Sequence, residues 1–520
     1  MACLVGRDGR MSGGGTLERL PDSWLRPTTR RWRDTVRPIA VRQGLLAIQR
    51  TLIDIAVFAV AAGISLLSAF TVNELFLHRA YELLQTPDLL AERIAELVTL
   101  GSVMLAWFVK SGHYTRRTPF WSEMHDIVVT ILLMALIDCA LQYMTKDPFS
   151  RLWLFQHWIF AAALLIVGRT LFKRLMLADG AWQLRTLVVG RGNDVDEVID
   201  ALESEPALGY RVVGTLDPDR GYSALGDAPE SEPIEGPALE WGRLAALCRR
   251  HGIENLVLAC DDAELARIKI LLRELSRHEM PYAIVPPLRG IAVHGLQVQH
   301  FMSHDVVLMQ PRNNLAWAAN RGIKRAFDLV AASAALLVLG PLMAVIATLV
   351  CRDGGPALYA HGRIGLLGRR FRCLKFRTMV SDADRVLEGH LAASSEAAEE
   401  WARDRKLRKD PRLTPLGRFL RKNSIDELPQ LINVLKGDMS LVGPRPIVKS
   451  EQAFYGDDLD YYLQVRPGIT GLWQVSGRSN VCYARRVALD GWYVRNWSLW
   501  HDIAILCGTL PAVLRREGAY

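Results

Sequence analysis

The chain has 520 residues, half of them apolar, and its mean hydropathy of +0.11 is high for a soluble enzyme, so part of it belongs in lipid. A net charge of +8 suits anionic partners such as nucleic acid, lipid headgroups or nucleotide sugars. The eight cysteines are scattered without the close pairing of zinc or redox motifs, which argues for a reducing compartment over a disulfide framework.

Residues 1–46 are mostly polar and rich in arginine, too long a lead for a cleavable secretory signal, and are expected to form a cytoplasmic tail. Four apolar stretches follow at 52–76, 94–109, 127–144 and 152–171, each near the ~20 residues that span a bilayer, and predict a four-helix transmembrane bundle over 47–178. Arg30, Arg31, Arg33, Arg37 and Arg42 precede the first stretch. Lys110, Arg116 and Arg117 separate the second from the third, and Lys173 and Arg174 follow the fourth. The other two loops mix cations with acids, so the positive-inside rule puts both ends of the bundle in the cytoplasm. Asp54 and Asp138 interrupt apolar runs, where a carboxylate facing lipid is costly, and are expected to face the bundle interior.

From residue 185 the pattern changes to short β-branched runs, Thr186-Leu187-Val188-Val189, Arg211-Val212-Val213-Gly214 and Asn255-Leu256-Val257-Leu258, separated by helical stretches. This alternation predicts a Rossmann-like parallel α/β domain over 179–310. Gly190 and Gly192 supply two glycines of a dinucleotide fingerprint, with Val195 in the third place and Asp217 where a ribose-binding acid would sit. Nucleotide binding and a scaffolding or dimerising role both fit that pattern.

A fifth apolar run, 326–350, has cations on both sides: Arg321, Lys324 and Arg325 before it, Arg352, Arg363, Arg369 and Arg370 after it. Both flanks therefore look cytoplasmic, and Gly340-Pro341 breaks the run near its middle. A re-entrant hairpin near 323–350 satisfies both facts. A kinked fifth span would put the rest of the chain outside the cell.

The remainder, within a domain over 311–520, is polar and basic. Asp426 and Glu427 follow the pair Arg421-Lys422 and precede Pro429, which is tolerated only where a helix begins. With Asp426 as cap and Pro429 in the first turn, the helix amides would favour a phosphate beside Asp426. Ser424 and Glu427 also have capping-box spacing, but a helix capped at Ser424 would put Pro429 where an N–H is needed. Lys375, Arg377, Arg421, Arg445 and Arg478 are candidate phosphate ligands, several of them in rigid Pro/Gly turns that suit bidentate recognition; each could instead be a solvated surface charge. Trp473, Trp492, Trp497 and Trp500 fit core or interfacial anchors.

These motifs resemble the polyprenyl-phosphate hexose-1-phosphate transferases, also called monotopic phosphoglycosyl transferases. Gly112-His113-Tyr114-Thr115-Arg116-Arg117-Thr118-Pro119-Phe120-Trp121 and the ending Leu514-Arg515-Arg516-Glu517-Gly518-Ala519-Tyr520 extend the likeness to the undecaprenyl-phosphate galactose phosphotransferases. The resemblance implies a catalytic α/β-type domain carried on the re-entrant hairpin at the cytoplasmic face of a bacterial inner membrane. It implies that Asp426 attacks the β-phosphorus of UDP-galactose or UDP-glucose and releases UMP, and that undecaprenyl phosphate then takes the hexose phosphate, starting a surface polysaccharide such as O-antigen or exopolysaccharide. It further implies Mg2+ at Asp426 and Glu427 and membrane lipid but no nucleic acid among the partners. The large non-catalytic domain adds the expectation of a homodimer. Glu427 could hold the metal or orient the acceptor. The chain departs from the family at Gly340-Pro341, where Ser-Pro is common. Two other classes compete: an NAD-dependent sugar-nucleotide dehydratase or epimerase using the middle domain, disfavoured by the incomplete glycine pattern and the lack of a Tyr-x-x-x-Lys pair, and a non-enzymatic assembly scaffold.

Overall fold

The computed structural model describes residues 26–72, 74–75, 87–145, 151–217, 221–224, 241–259, 265–278, 280–286, 290–300, 307–404, 407, 410–476 and 482–514. The chain forms two compact units, Met1–Pro287 and Leu288–Tyr520.

In the first unit α1 (Arg26–Val72), α2 (Pro87–Lys110), α3 (Phe120–Thr145) and α4 (Arg151–Ala178) coincide with the four apolar stretches. Helix α1 begins well inside the expected tail, because arginine makes a segment polar without lowering its helix propensity. Among the described residues, three helical segments are long and apolar enough to cross a membrane: Val41–Val72, Phe120–Thr145 and Ala318–Val350. The bundle core includes Leu100, Met104, Phe108, Ile131, Trp158 and Leu165.

Asp54 and Asp138 face the interior as expected. Arg169 and Tyr114 hold Asp54, at 2.6 Å each, and Arg93 and Trp158 hold Asp138 at 2.6–2.7 Å. Glu123 takes Lys173, Arg50 and Arg169. A buried carboxylate is tolerable only when paired in this way.

The same unit continues through β1 (Leu184–Gly190), α5 (Gly192–Ser204), β2 (Tyr210–Asp217), β3 (Gly221–Ala224), α6 (Trp241–His251), β4 (Asn255–Ala259), α7 (Leu265–Arg277) and β5 (Tyr282–Val285). The sheet order is β3-β2-β1-β4-β5, parallel except for the β2–β3 hairpin. The three β-branched runs lie within β1, β2 and β4. Gly190 is required by packing, since a Cβ there would come within 2.1 Å of the Ala259 carbonyl oxygen. Asp217 lies 3.7 Å from Arg191 across the strand ends.

The second unit opens with the hairpin β6 (Gln297–His300) and β7 (Val307–Gln310), then α8 (Ala318–Val350). Residues 288–310 were expected with the α/β domain. They cluster instead with the C-terminal unit, where the N–H groups of Val293 and His294 both donate to Asn496 Oδ1. The rest comprises β8 (Leu358–Ile364), β9 (Arg370–Phe376), α9 (Ala383–Ala393), α10 (Ser395–Asp404), α11 (Pro415–Lys422), α12 (Gln430–Lys436), β10 (Ser440–Val442), α13 (Leu459–Leu463), β11 (Gly468–Thr470), α14 (Leu472–Val475), α15 (Tyr483–Arg495) and α16 (Leu499–Leu514). Among the described residues of this unit, three two-stranded sheets, β6–β7, β8–β9 and β10–β11, sit among helices in place of one extended sheet.

Helix α8 runs through Gly340 and Pro341 without ending. Both of its halves pack on this one unit. Near its start, Lys324 Nζ meets Asp502 at 2.7 Å, and Asp328 accepts from Ser440 Oγ and the Leu441 N–H. Near its end, Met343, Ile346 and Val350 pack against Phe376 and Leu420. Between them Leu337 and Val338 are 82% and 75% exposed, an apolar face turned away from the unit.

Candidate active site

The β8–β9 hairpin positions the first cation. Strand alternation puts Tyr359, His361 and Arg363 on one face with their partners Lys375, Cys373 and Phe371. The edge of β9 is completed by the buried Asn433 of α12, whose Oδ1 accepts from the Leu374 N–H at 2.9 Å and whose Nδ2 donates to the Arg372 carbonyl at 2.8 Å. This side chain locks α12 against the strand that carries Lys375.

Helix α11 starts at Thr414, whose hydroxyl accepts from the Gly417 N–H, with Pro415 in the first turn. It lies so close to the end of β9 that a Cβ at Gly417 would come within 2.0 Å of the Thr378 carbonyl oxygen. Thr378 Oγ1 also accepts from Arg421 Nε, which fixes the direction of that guanidinium.

Beyond α11 the chain turns through Ser424 at φ +56°, one of two non-glycine residues with positive φ among those described. A short 3-10 turn, Ile425–Glu427, carries both acids, and α12 begins only at Gln430 with Pro429 in the capping position. The cap expected at Asp426 is therefore displaced by three residues, to Pro429. The left-handed Ser424 gives the backbone a turn that spacing alone does not reveal. The capping box is also absent: Ser424 makes no side-chain cap, and Glu427 turns to Lys375.

Lys375 Nζ donates to Glu427 Oε1 at 2.5 Å and lies 3.9 Å from Asp426 Oδ2. Asp426 is buried, and burial pushes its carboxyl up to about 6, while Lys375 and Arg421 pull it down and Glu427 pushes it up. Near neutral pH this carboxylate is ionised and poorly solvated, a suitable state for a nucleophile.

A cavity of about 510 Å3 adjoins the acids. Its wall includes Ser424, Ile425, Glu427 and Leu428, the neighbours of Asp426 on both sides. Arg421, Arg445 and Arg486 line it, and Arg445 and Arg486 approach the ring of the buried Trp473 at 5.9 and 4.8 Å. Trp473 and Trp497 are core residues, whereas Trp492 is exposed and Trp500 half-buried.

Lys375, Arg421 and Arg445 thus gather around the acids, but Arg377 does not. It donates to the carbonyls of Val350 and Pro356 and to Ser381, closing the turn after α8. Arg478 lies outside the described residues. Sequence reasoning missed His361, Arg363 and Arg486. Arg363 donates to the Pro446 carbonyl, and burial, then Arg445, lowers its pKa. Burial, then Arg363 and Lys375, keeps His361 below its usual value and neutral. The alternation Tyr359-x-His361-x-Arg363 was the available signal for two of the three.

No group of three or more metal-binding side chains occurs among the described residues. Asp426 and Glu427 are hard oxygen donors of the kind Mg2+ takes in ones and twos alongside substrate phosphates, and Lys375 already engages Oε1 of Glu427, which leaves Oε2 and the Asp426 carboxylate as the oxygens that could face such an ion.

The sequence pattern of the bacterial sugar transferase family matches residues 319–516, and that of a CoA-binding domain matches 110–286. An undecaprenyl-phosphate galactose phosphotransferase of Salmonella typhimurium is 44% identical over 83% of this chain and 90% of its own length. A UDP-galactose-lipid carrier transferase of Erwinia amylovora is 40% identical over 82% and 89%. The exopolysaccharide production protein ExoY of Rhizobium meliloti is 52% identical over 38% of this chain and 88% of its own length. The chain belongs to the bacterial sugar transferases, as a polyprenyl-phosphate hexose-1-phosphate transferase.

Proposed function

We propose that this chain transfers hexose-1-phosphate from a UDP-hexose to undecaprenyl phosphate, the first step of a surface polysaccharide, with Asp426 as nucleophile. An oxygen of Asp426 attacks the β-phosphorus, the bond to the bridging oxygen breaks, and its electron pair leaves with UMP. An oxygen of the acceptor phosphate then attacks the aspartyl phosphosugar, forming the P–O–P bond and returning the carboxylate to Asp426. The observation that carries this is the buried, ionisable Asp426 held 3.9 Å from Lys375 beside a cavity lined by three guanidiniums. Lys375 and Arg421 keep the carboxylate ionised, and Arg445, Arg486 and Arg363 supply charge for phosphate oxygens. Magnesium, when bound at Asp426 and Glu427, would neutralise donor phosphate charge. Galactose is the sugar to test first, because two relatives are named for it.

Both halves of α8 pack on the catalytic unit while its middle is apolar and exposed, which supports a helix that enters one leaflet and returns. With an even number of spans among α1–α4, the catalytic unit would face the cytoplasm, where UDP-hexoses are made. The test is UMP release and chloroform-extractable hexose from UDP-galactose and UDP-glucose with undecaprenyl phosphate. Wild type should yield both products and Asp426→Asn neither. Equal yields from the two proteins would refute the role of Asp426.

A further inference from the structure

The lining of the cavity beside the acids is chemically mixed. It holds three guanidiniums, Arg421, Arg445 and Arg486, with a single carboxylate, Glu427, whose charge Lys375 already offsets. It also holds an apolar set contributed by two helices, Ala335 and Leu339 of α8 and Leu506 and Ala512 of α16. Its α8 members belong to the helix whose opposite side, at Leu337 and Val338, is the exposed apolar face. A nucleotide sugar has no aliphatic body to cover such a wall. A prenyl phosphate has one, joined to a dianion that three guanidiniums would match.

We propose that this cavity is the acceptor port: the first isoprene units lie between α8 and α16, and the phosphate is held by Arg445 and Arg486 within reach of the phosphosugar on Asp426. The donor reaches Asp426 from the other side, over the β8–β9 face that carries His361, Arg363 and Lys375. The two substrates thus approach the acid from different faces, and Trp473, between two guanidiniums, positions the acceptor phosphate. The inference rests on the transferase activity proposed above.

Two measurements on the full chain in nanodiscs test it. The first is exchange of labelled UMP into UDP-hexose without acceptor, compared with transfer to undecaprenyl phosphate, in Ala335→Phe, Ala512→Phe and Arg486→Gln. Transfer should fall about tenfold or more relative to exchange, with a raised acceptor KM in the two phenylalanine variants. Parallel loss of exchange and transfer, or unchanged transfer, overturns the port. Absence of exchange in wild type refutes the covalent Asp426 step proposed above, and absence of transfer in wild type refutes the transferase activity itself. The second measurement needs no variant. A diazirine-tagged farnesyl phosphate should label α8 near 335–339 and α16 near 506–512, with undecaprenyl phosphate competing and phosphatidylglycerol not. Labelling of β8 or β9, or equal competition by the phospholipid, contradicts the proposal.

Discussion

Replacing Lys375 by methionine keeps the length of the side chain and removes its charge, so the ionisation of Asp426 should change while the fold does not. At 3.9 Å the ammonium stabilises the Asp426 carboxylate by roughly 4 kcal/mol at an effective dielectric of about 20, and by roughly 1 kcal/mol if water screens it fully. The lysine side chain is 31% exposed and shared with Glu427 at 2.5 Å, which places the effect near the lower end, about 1 to 2 kcal/mol. That corresponds to an upward shift of roughly one to one and a half pH units. The assay is single-turnover UMP release from UDP-hexose, whose diphosphate is fully ionised throughout this range. The wild-type rate should rise with pH through about 6, as Asp426 loses its proton. In Lys375→Met the half-maximal point should move to between about 7 and 7.5. A uniform loss of rate with the midpoint unmoved would show that Lys375 acts on the substrate alone, and a downward shift would refute the electrostatic account.

Three further outcomes follow from the site and its supports. Asn433→Leu strands the Leu374 N–H and the Arg372 carbonyl, which should cost roughly 2–5 kcal/mol in stability and, because β9 then moves Lys375, reduce UMP release. At Ser424, glycine should keep UMP release near the wild-type rate, whereas valine, strained at φ +56° by roughly 1–3 kcal/mol, should lower it about tenfold or more. Asp490 is buried beside Tyr455, and burial pushes its carboxyl up to about 7, against the pull of the Tyr455 hydroxyl and Arg445. Its contribution is complete below its unfolded pKa of about 4 and is lost as pH rises through 7. Thermal unfolding of Asp490→Asn should therefore match wild type near pH 4 and exceed it increasingly up to pH 7, by roughly 4 kcal/mol at most; a constant difference across pH would refute the assignment.

Hydropathy and β-branched runs were enough to locate the four bundle helices, the strands β1, β2 and β4 and the long α8, because each rests on burial that a local pattern records. The buried pairing of Asp54 and Asp138 was legible for the same reason, a carboxylate being too costly in lipid without a cation. The start of α12 was not, since it depends on Ser424 adopting a left-handed conformation that only tertiary packing enforces. Arg377 and Arg363 show the limit for the site. Both are arginines on or beside strands, and only the fold reveals that the first donates to carbonyls at the end of α8 while the second shares a strand face with His361 and donates to the Pro446 carbonyl. The hairpin β6–β7 was assigned to the preceding domain because the contact that captures its segment, Asn496, lies about two hundred residues away in sequence.

The most direct test of a covalent Asp426 mechanism is the mass of the enzyme itself. Wild type mixed with UDP-galactose in the absence of acceptor, quenched in denaturant and digested, should carry one hexosyl phosphate on the peptide containing Asp426, and undecaprenyl phosphate added before the quench should remove it. UMP release without such an adduct, or an adduct that persists in Asp426→Asn, would contradict the mechanism.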